Sequence, residues 1–186
     1  MRKPLLVFIL AFAFTVSNAQ TEDMKFSGIP MNQTYSSFVD ELKQKGFSEK
    51  VKQQVWNFPG YKFITLAGKF WQFDDCEIRV KYSATTDSIA SVAVRKQFFS
   101  IWHNKVFELM DNLDLKYGER LRLKSDAKNS EYRWFSQEPY GMVEVNWVLM
   151  EEVGLDQFMI EYFTTEETKV VLKKQIKDKK AELEEL

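Results

Sequence analysis

A run of acidic residues beside the single cysteine is the first place in the sequence with the residue types for chemistry. Asp74, Asp75 and Glu77 flank Cys76. Paired carboxylates can hydrolyse a glycosidic bond, and carboxylate oxygens also bind Ca²⁺. Neighbouring residues of a strand point to opposite faces, however, so Asp74 and Asp75 do not easily flank one bond. The pattern favours a solvated acidic turn and leaves a carbohydrate-active or other hydrolase using the Asp74–Glu77 turn as the alternative.

Cys76 and His103 are the only residues of their types and offer little for nucleophilic or metal chemistry. Cys76 alternates in phase with Ile78 and Val80, which is typical of a small buried residue, and a reactive thiol is the alternative. The neighbouring carboxylates would raise the pKa of that thiol and disfavour the thiolate. His103 has no second histidine with which to build a zinc site or a catalytic triad, so we interpret it as a packing residue. We therefore expect no metal site, no cofactor and no catalytic residue.

Aromatic side chains outside the regular alternation are the candidates for a binding surface. The sequence has 16 Phe, 7 Tyr and 5 Trp, most of them in phase with a core. Exposed aromatic residues in turns suit protein partners or the faces of sugars, whereas the alternative is a second, smaller core beneath the loops. Tyr140 also falls out of phase. The predicted binding residues, taken with the neighbouring acids, are Trp56, Phe58, Tyr61, Trp71, Phe73, Asp74 and Asp75.

One amphipathic helix, predicted over about residues 100–117, organises the elements that must position these side chains. At about 100° per residue its apolar positions fall within an arc of roughly 120°. Ser100 suits the N-cap and Gly118 suits the left-handed residue that ends a helix. A face of this width requires a sheet to cover it. The apolar positions are Phe98, Phe99, Trp102, Val106, Leu109, Met110, Leu113 and Tyr117.

Runs of alternating hydrophobicity before and after this helix predict the strands of that sheet. Cys76–Tyr82 is the clearest, and Ile89–Phe98 returns beside it. Tyr61–Phe73 reads as a strand broken near Gly68. After the helix, Tyr132–Phe135 predicts a short aromatic strand, and a further short strand is predicted just after Gly118. The remaining predicted strands are Met142–Met150 and Gln157–Phe163.

The helices and strands together predict an α+β fold. An early helix runs from Tyr35 to about Lys45, and Thr164 and Glu167 form a capping box for a final helix that ends near Leu186. The order predicts two α-βββ half-repeats, about residues 24–99 and 100–186. They would form one largely antiparallel sheet packed by the central helix.

The N-terminus has the pattern of an export signal. A basic start is followed by the apolar run Leu5–Val16 and then by small residues that end at Ala19. The pattern predicts cleavage before Gln20 and a single domain over residues 20–186, in the periplasm or outside the cell. The apolar run is short for a membrane span, no other stretch approaches that length, and a formal net charge of −1 argues against nucleic-acid binding.

Several short motifs resemble those of a group of small, uncharacterised exported proteins of the Bacteroidota. The matching residues are Phe26–Pro30, Phe38, Leu42, Lys45–Phe47, Gly68, Phe70, Asp75, Cys76, Trp102 and Lys116–Gly118. The likeness covers roughly residues 24–118. It implies membership of the group and no particular activity. In the group's pattern Gly-Tyr often precedes the acid and Cys, where this chain has Gln72 and Phe73. The tandem layout also looks like that of β-lactamase-inhibitor proteins and outer-membrane assembly lipoproteins, which is an analogy of layout alone.

These observations lead to an expected function in the cell envelope. We expect an exported, non-catalytic protein that binds another protein or an envelope component such as a glycan. A hydrolase and a structural envelope protein are the alternatives. An enzyme should show a concave pocket with convergent carboxylates, and a binding protein should show an open sheet face or an aromatic patch.

Overall fold

The computed structural model describes residues 24–50, 58–99, 103–126, 129–137, 140–150 and 155–184. The expected export signal and its cleavage between Ala19 and Gln20 lie outside these residues. Trp56, Ser100 and Trp102 also lie outside them, as does the side chain of Tyr140.

The described residues form three helices and ten strands, numbered in chain order. The helices are α1 (Tyr35–Gln44), α2 (His103–Tyr117) and α3 (Thr165–Glu184). The strands are β1 (Lys25–Phe26), β2 (Ile29–Pro30), β3 (Ser48–Glu49), β4 (Tyr61–Phe70), β5 (Phe73–Ser83), β6 (Ile89–Phe99), β7 (Leu121–Ser125), β8 (Asn129–Gln137), β9 (Tyr140–Met150) and β10 (Leu155–Phe163). The predicted α+β class, with a mostly antiparallel sheet and a C-terminal helix, is confirmed.

Eight of the strands form one antiparallel sheet in the order β3-β4-β5-β6-β10-β9-β8-β7. Each half of the sheet follows a helix, α1 or α2, and the halves meet where β6 pairs with β10. The strand order is therefore symmetric about this central pair, with four strands on each side. The sequence had indicated three strands in the first half, because the two-residue edge strand β3 has no periodicity to detect. That the halves repeat one structural unit stays a prediction.

The inner face of the sheet is the face that carries Val94 and Ile160, and it holds the main core. These two residues lie opposite each other on the central strands, and Ile78 and Val145 continue the same row outward. All four side chains are at most 1% exposed. Full burial of such a side chain contributes about 1.5–3 kcal/mol, so this row is a large stabilising element of the fold.

Helix α2 packs on the inner face as its periodicity predicts. Its buried residues are Val106, Leu109, Met110 and Leu113. The first two positions of the predicted apolar arc, Phe98 and Phe99, precede the helix and belong to β6. Side chains alternate along a strand, and accordingly Phe98 is buried whereas Phe99 is 61% exposed. The predicted stop is also observed, since Gly118 takes φ +86° directly after α2.

The contact between Phe47 and Gly68 joins α1 to the sheet. Gly46 ends the helix with φ +91°, and the chain turns so that the Phe47 N–H donates to the Leu42 carbonyl at 3.1 Å. The Phe47 ring then lies against Gly68, where a Cβ atom would stand only 2.2 Å from its Cδ1. The sequence predicted a break near Gly68. Strand β4 instead continues through this residue and shifts its register with β5 between Gly68 and Phe70.

Helix α3 lies on the opposite, outer face of the sheet. Its capping box is only half formed: the Glu167 N–H donates to Thr164 Oγ1 at 3.5 Å, but the Thr164 N–H donates to the Ala90 carbonyl. The Glu167 carboxylate is therefore free of the box and turns towards the sheet. Among the helices that the structure describes, none has both the length and the apolar character to span a bilayer.

Candidate functional site

The predicted aromatic residues do not assemble into one surface. Tyr61 begins β4, whereas Trp71 follows its other end. The aromatic residues near Tyr61 and those near Trp71 are therefore separated by the length of a ten-residue strand. At about 3.3 Å per residue this is roughly 30 Å. Phe58 is 53% exposed beside Tyr61. An amphipathic patch built from both turns is therefore not present at one end of the sheet.

Phe73 lies in the core and is unavailable to a partner. It is 1% exposed and packs on Phe98 and Phe158, at ring-centroid distances of 5.9 and 4.8 Å. The alternation was misread because Asp75 has φ +52° within β5. This left-handed residue shifts the phase, so that Phe73 and Cys76 both face inward although they are three residues apart. The prediction of Phe73 as a binding residue is wrong.

The acidic residues lie in strand β5 and not in a turn, which is formed instead by Trp71 and Gln72. Asp74 is exposed and pairs with Lys69 at 3.3 Å, whereas Glu77 faces the outer side of the sheet. Burial alone would raise the pKa of Glu77, but its bonds with Lys50 and Arg79 lower it overall. Asp74 and Glu77 thus have separate partners and do not converge.

A different group of polar residues converges on the outer face, where α3 meets β5, β6 and β10. The Glu167 carboxylate is 6% exposed and accepts from the Tyr61 hydroxyl at 2.9 Å and from the Lys81 ammonium. The neighbouring Glu161 carboxylate accepts from Ser91 Oγ at 2.5 Å. These five residues form what we call the Lys81 cluster.

The two glutamates of the cluster differ in their surroundings. Burial raises the pKa of Glu161 above the ordinary range of glutamate, and the nearby carboxylates of Glu144 and Glu167 act in the same direction. The hydrogen bond from Ser91 and the charge of Lys81 only partly oppose this. Glu167 is held in a direct ion pair with Lys81. The cluster therefore combines a buried carboxyl group of raised pKa with an ion-paired carboxylate.

The Lys81 cluster borders a groove on the outer face, between α3 and strands β4, β5, β6 and β10. Its larger part has a volume of about 340 Å³ and is walled by Phe58, Phe63 and Val171. A smaller part of about 180 Å³ continues it towards Arg95. The two parts share the residues Arg79, Ala93 and Met159. We call the whole depression the outer groove.

Sequence reasoning missed this groove because its residues come from distant segments. Lys81 and Glu167 are separated by 86 positions, and Ser91 and Glu161 by 70. A usable signal was present on the polar side of β6, where Ser91 and Ala93 are both small. Small residues on the outer face of a central strand leave space between the neighbouring side chains.

Within the part of the chain that the structure describes, no three His, Cys, Asp or Glu residues are grouped to hold a metal ion. His103 lies on the inner side of the sheet, where its Nε2 contacts Asp156. Asp156 also accepts from Trp147 Nε1 at 3.2 Å, so the histidine belongs to a buried polar contact at the start of α2.

Comparisons of the chain with protein-family models, curated proteins and solved structures found no significant match. The resemblance to the exported Bacteroidota proteins stays a prediction.

Replacing Glu161 by glutamine should alter the pH dependence of stability. The pKa of Glu161 is raised in the folded state, so its contribution to the free energy of unfolding is full below the unfolded-state pKa of about 4.3. That contribution is lost as the pH rises through the folded-state pKa. Urea unfolding across this range should show that loss in the native chain and a smaller one in Glu161→Gln. The exposed Glu166→Gln serves as the matched control, and identical pH profiles for native chain and Glu161→Gln would contradict the assignment.

Proposed function

We propose that this chain is an exported, non-catalytic binding protein and that the outer groove receives its ligand. The observation that carries the proposal is the groove itself, in which exposed aromatic surface adjoins an internally paired polar floor. Ligand sites are typically concave, mostly apolar and furnished with a few fixed polar groups. The ligand is another protein or an envelope component, in keeping with the N-terminal export pattern.

The polar floor supports binding more than catalysis. Glu167 is engaged by Tyr61 and Lys81, and Glu161 is engaged by Ser91. Groups engaged in this way orient a ligand without having to be desolvated when it arrives. The gain in affinity then comes from apolar area, at about 25 cal/mol for each Å² removed from water.

Native mass spectrometry of the full chain, purified after export, tests this proposal. The native protein should carry a bound mass, and Ala93→Phe should lose it, because a phenyl ring at residue 93 fills the middle of the outer groove. Ala84→Phe, an equal change at an exposed turn position, is the matched control and should retain the bound mass. Retention by Ala93→Phe, or no bound mass on the native protein, would count against the proposal.

A hydrolase is the second candidate, and the pair Glu161 and Glu167 is the observation that favours it. Both line the larger part of the outer groove; burial raises the pKa of Glu161, whereas Glu167 is ion-paired with Lys81. Glycoside hydrolysis uses two carboxyl groups in different surroundings, one of which has a raised pKa and acts as the general acid. This site would replace the Asp74–Glu77 stretch. Release of reducing ends from envelope glycan by the native chain, lost in Glu161→Gln, would select this function over binding.

A further inference from the structure

The outer groove has three cationic side chains, and one of them differs from the other two. Arg79 and Lys81 are each ion-paired with a glutamate. Arg95 instead donates from Nε to the neutral amide oxygen of Gln157 at 2.8 Å, and its side chain is exposed. No ion pair joins Arg95 to an acid within the described ranges, so its positive charge is directed to the smaller end of the groove.

The opposite end of the groove is aromatic. The Phe58 ring is 53% exposed and lies 5.4 Å, centroid to centroid, from the ring of Phe63. Val171 of α3 faces the same space. When an apolar group covers a half-exposed phenylalanine beside a concave surface, apolar area is removed from water and binding is favoured.

The middle of the groove, where the two ends meet, is lined by two apolar side chains and by Arg79, which is ion-paired with Glu77. Ala93 and Met159 line both the larger and the smaller part. Two acids border this path, and both have partners. The Glu161 carboxylate accepts from Ser91 Oγ. Glu77, which lies opposite Arg95 in the sheet, is held by Lys50 at 2.7 Å and Arg79 at 3.1 Å. The lining therefore passes from aromatic to aliphatic and then to an end where two arginines outnumber one glutamate, which is complementary to a molecule with an apolar body and an anionic head.

We infer that the outer groove binds a single-chain carboxylate, with its apolar chain over Phe58 and Phe63 and its carboxylate on Arg95. This inference rests on the proposed function of the groove. A guanidinium holds a carboxylate through two parallel N–H donors, which fixes the orientation as well as the charge.

Isothermal titration calorimetry with decanoate, kept below the concentration at which it forms micelles, tests the inference. The native chain should bind decanoate saturably with one-to-one stoichiometry. Decyltrimethylammonium has the same chain with a cationic head, and acetate has the carboxylate without the chain. Both should bind at least about tenfold more weakly, since each retains only one of the two interactions. Equal affinity for decanoate and decyltrimethylammonium would overturn the inference.

Two variants connect that affinity to the groove. Arg95→Gln should weaken decanoate binding at least about tenfold and leave decyltrimethylammonium unchanged, because only the carboxylate uses the guanidinium. Arg122→Gln removes the same charge from the exposed strand β7 and should bind decanoate like the native chain. Both replaced side chains are exposed, so the variants are expected to fold. Unchanged binding by Arg95→Gln would overturn the inference.

The outcomes separate this inference from the proposal on which it rests. If the native protein carries a neutral or cationic ligand and Ala93→Phe loses it, the groove remains the binding site and only the inference that the ligand is a carboxylate is overturned. Decanoate binding that survives Ala93→Phe would place the amphiphile elsewhere and overturn the inference as well.

Discussion

Replacing Leu113 by alanine is expected to lower the free energy of unfolding by about 2–5 kcal/mol. Leu113 is 4% exposed on the face of α2 that packs on the inner side of the sheet. Its removal loses apolar burial and leaves a cavity between a helix and a sheet that cannot easily approach each other. Urea unfolding followed by circular dichroism measures the change as a shift of the midpoint.

The same helix provides the matched control two residues away. Leu115 is 86% exposed, so Leu115→Ala makes the identical chemical change on the solvent side and should alter stability by less than about 0.5 kcal/mol. Asn104→Ala, also exposed, should behave similarly. Equal destabilisation by Leu113→Ala and Leu115→Ala would mean that the packed face of α2 is wrongly assigned.

The predictions from sequence succeeded where one face of a helix or strand is buried and the other is exposed to solvent. Cys76, Ile78 and Val80 are all fully buried, and Glu77 and Arg79 between them face outward as their alternation predicts. Such a pattern is a direct consequence of the two-residue period of a strand packed on one side.

They failed where the inward positions of a strand are not all apolar. Strand β8 was predicted only over Tyr132–Phe135, whereas it extends from Asn129 to Gln137. Arg133 in its middle is 5% exposed, because it pairs with Glu144 and donates to Gln175 of α3 on the outer face. Arg133 nevertheless has the outward, polar position that alternation predicts. The ends of the strand were missed because Ser130 and Ser136, and not apolar residues, take the inward positions on either side of Tyr132 and Trp134.

The outer groove was beyond sequence reasoning for a different reason. Its formation depends on β6 lying beside β10 and on α3 crossing to the outer face. Periodicity identifies the faces of each strand but does not order the strands in the sheet. The acidic residues next to Cys76 form a cluster in the sequence itself, whereas Glu161 and Glu167 converge only through the fold.

The thiol of Cys76 is expected to react with 5,5′-dithiobis(2-nitrobenzoate) at pH 8 at least about a hundredfold more slowly in the folded chain than in guanidinium chloride. Cys76 is 0% exposed, and its Sγ donates to the Phe73 carbonyl at 3.4 Å. Burial raises its pKa to about 11, while Lys96 partly opposes the shift. Asp74 and Asp75 add less than burial, so the carboxylates are not the main cause that the sequence suggested.

A second cysteine makes this experiment internally controlled. Asn104→Cys places a thiol on the exposed face of α2, so the variant should release one equivalent of nitrothiobenzoate rapidly and the second only slowly. Fast reaction of two equivalents would contradict the burial of Cys76.

Because the slow thiol lies in the same core as Leu113, adding Leu113→Ala distinguishes two routes to its reaction. If the core must unfold globally before Cys76 is attacked, a loss of 2 kcal/mol or more should speed the slow phase at least about thirtyfold. An unchanged slow phase would instead mean that Cys76 is reached through local opening of β5 near Asp75, where the strand already departs from regular geometry.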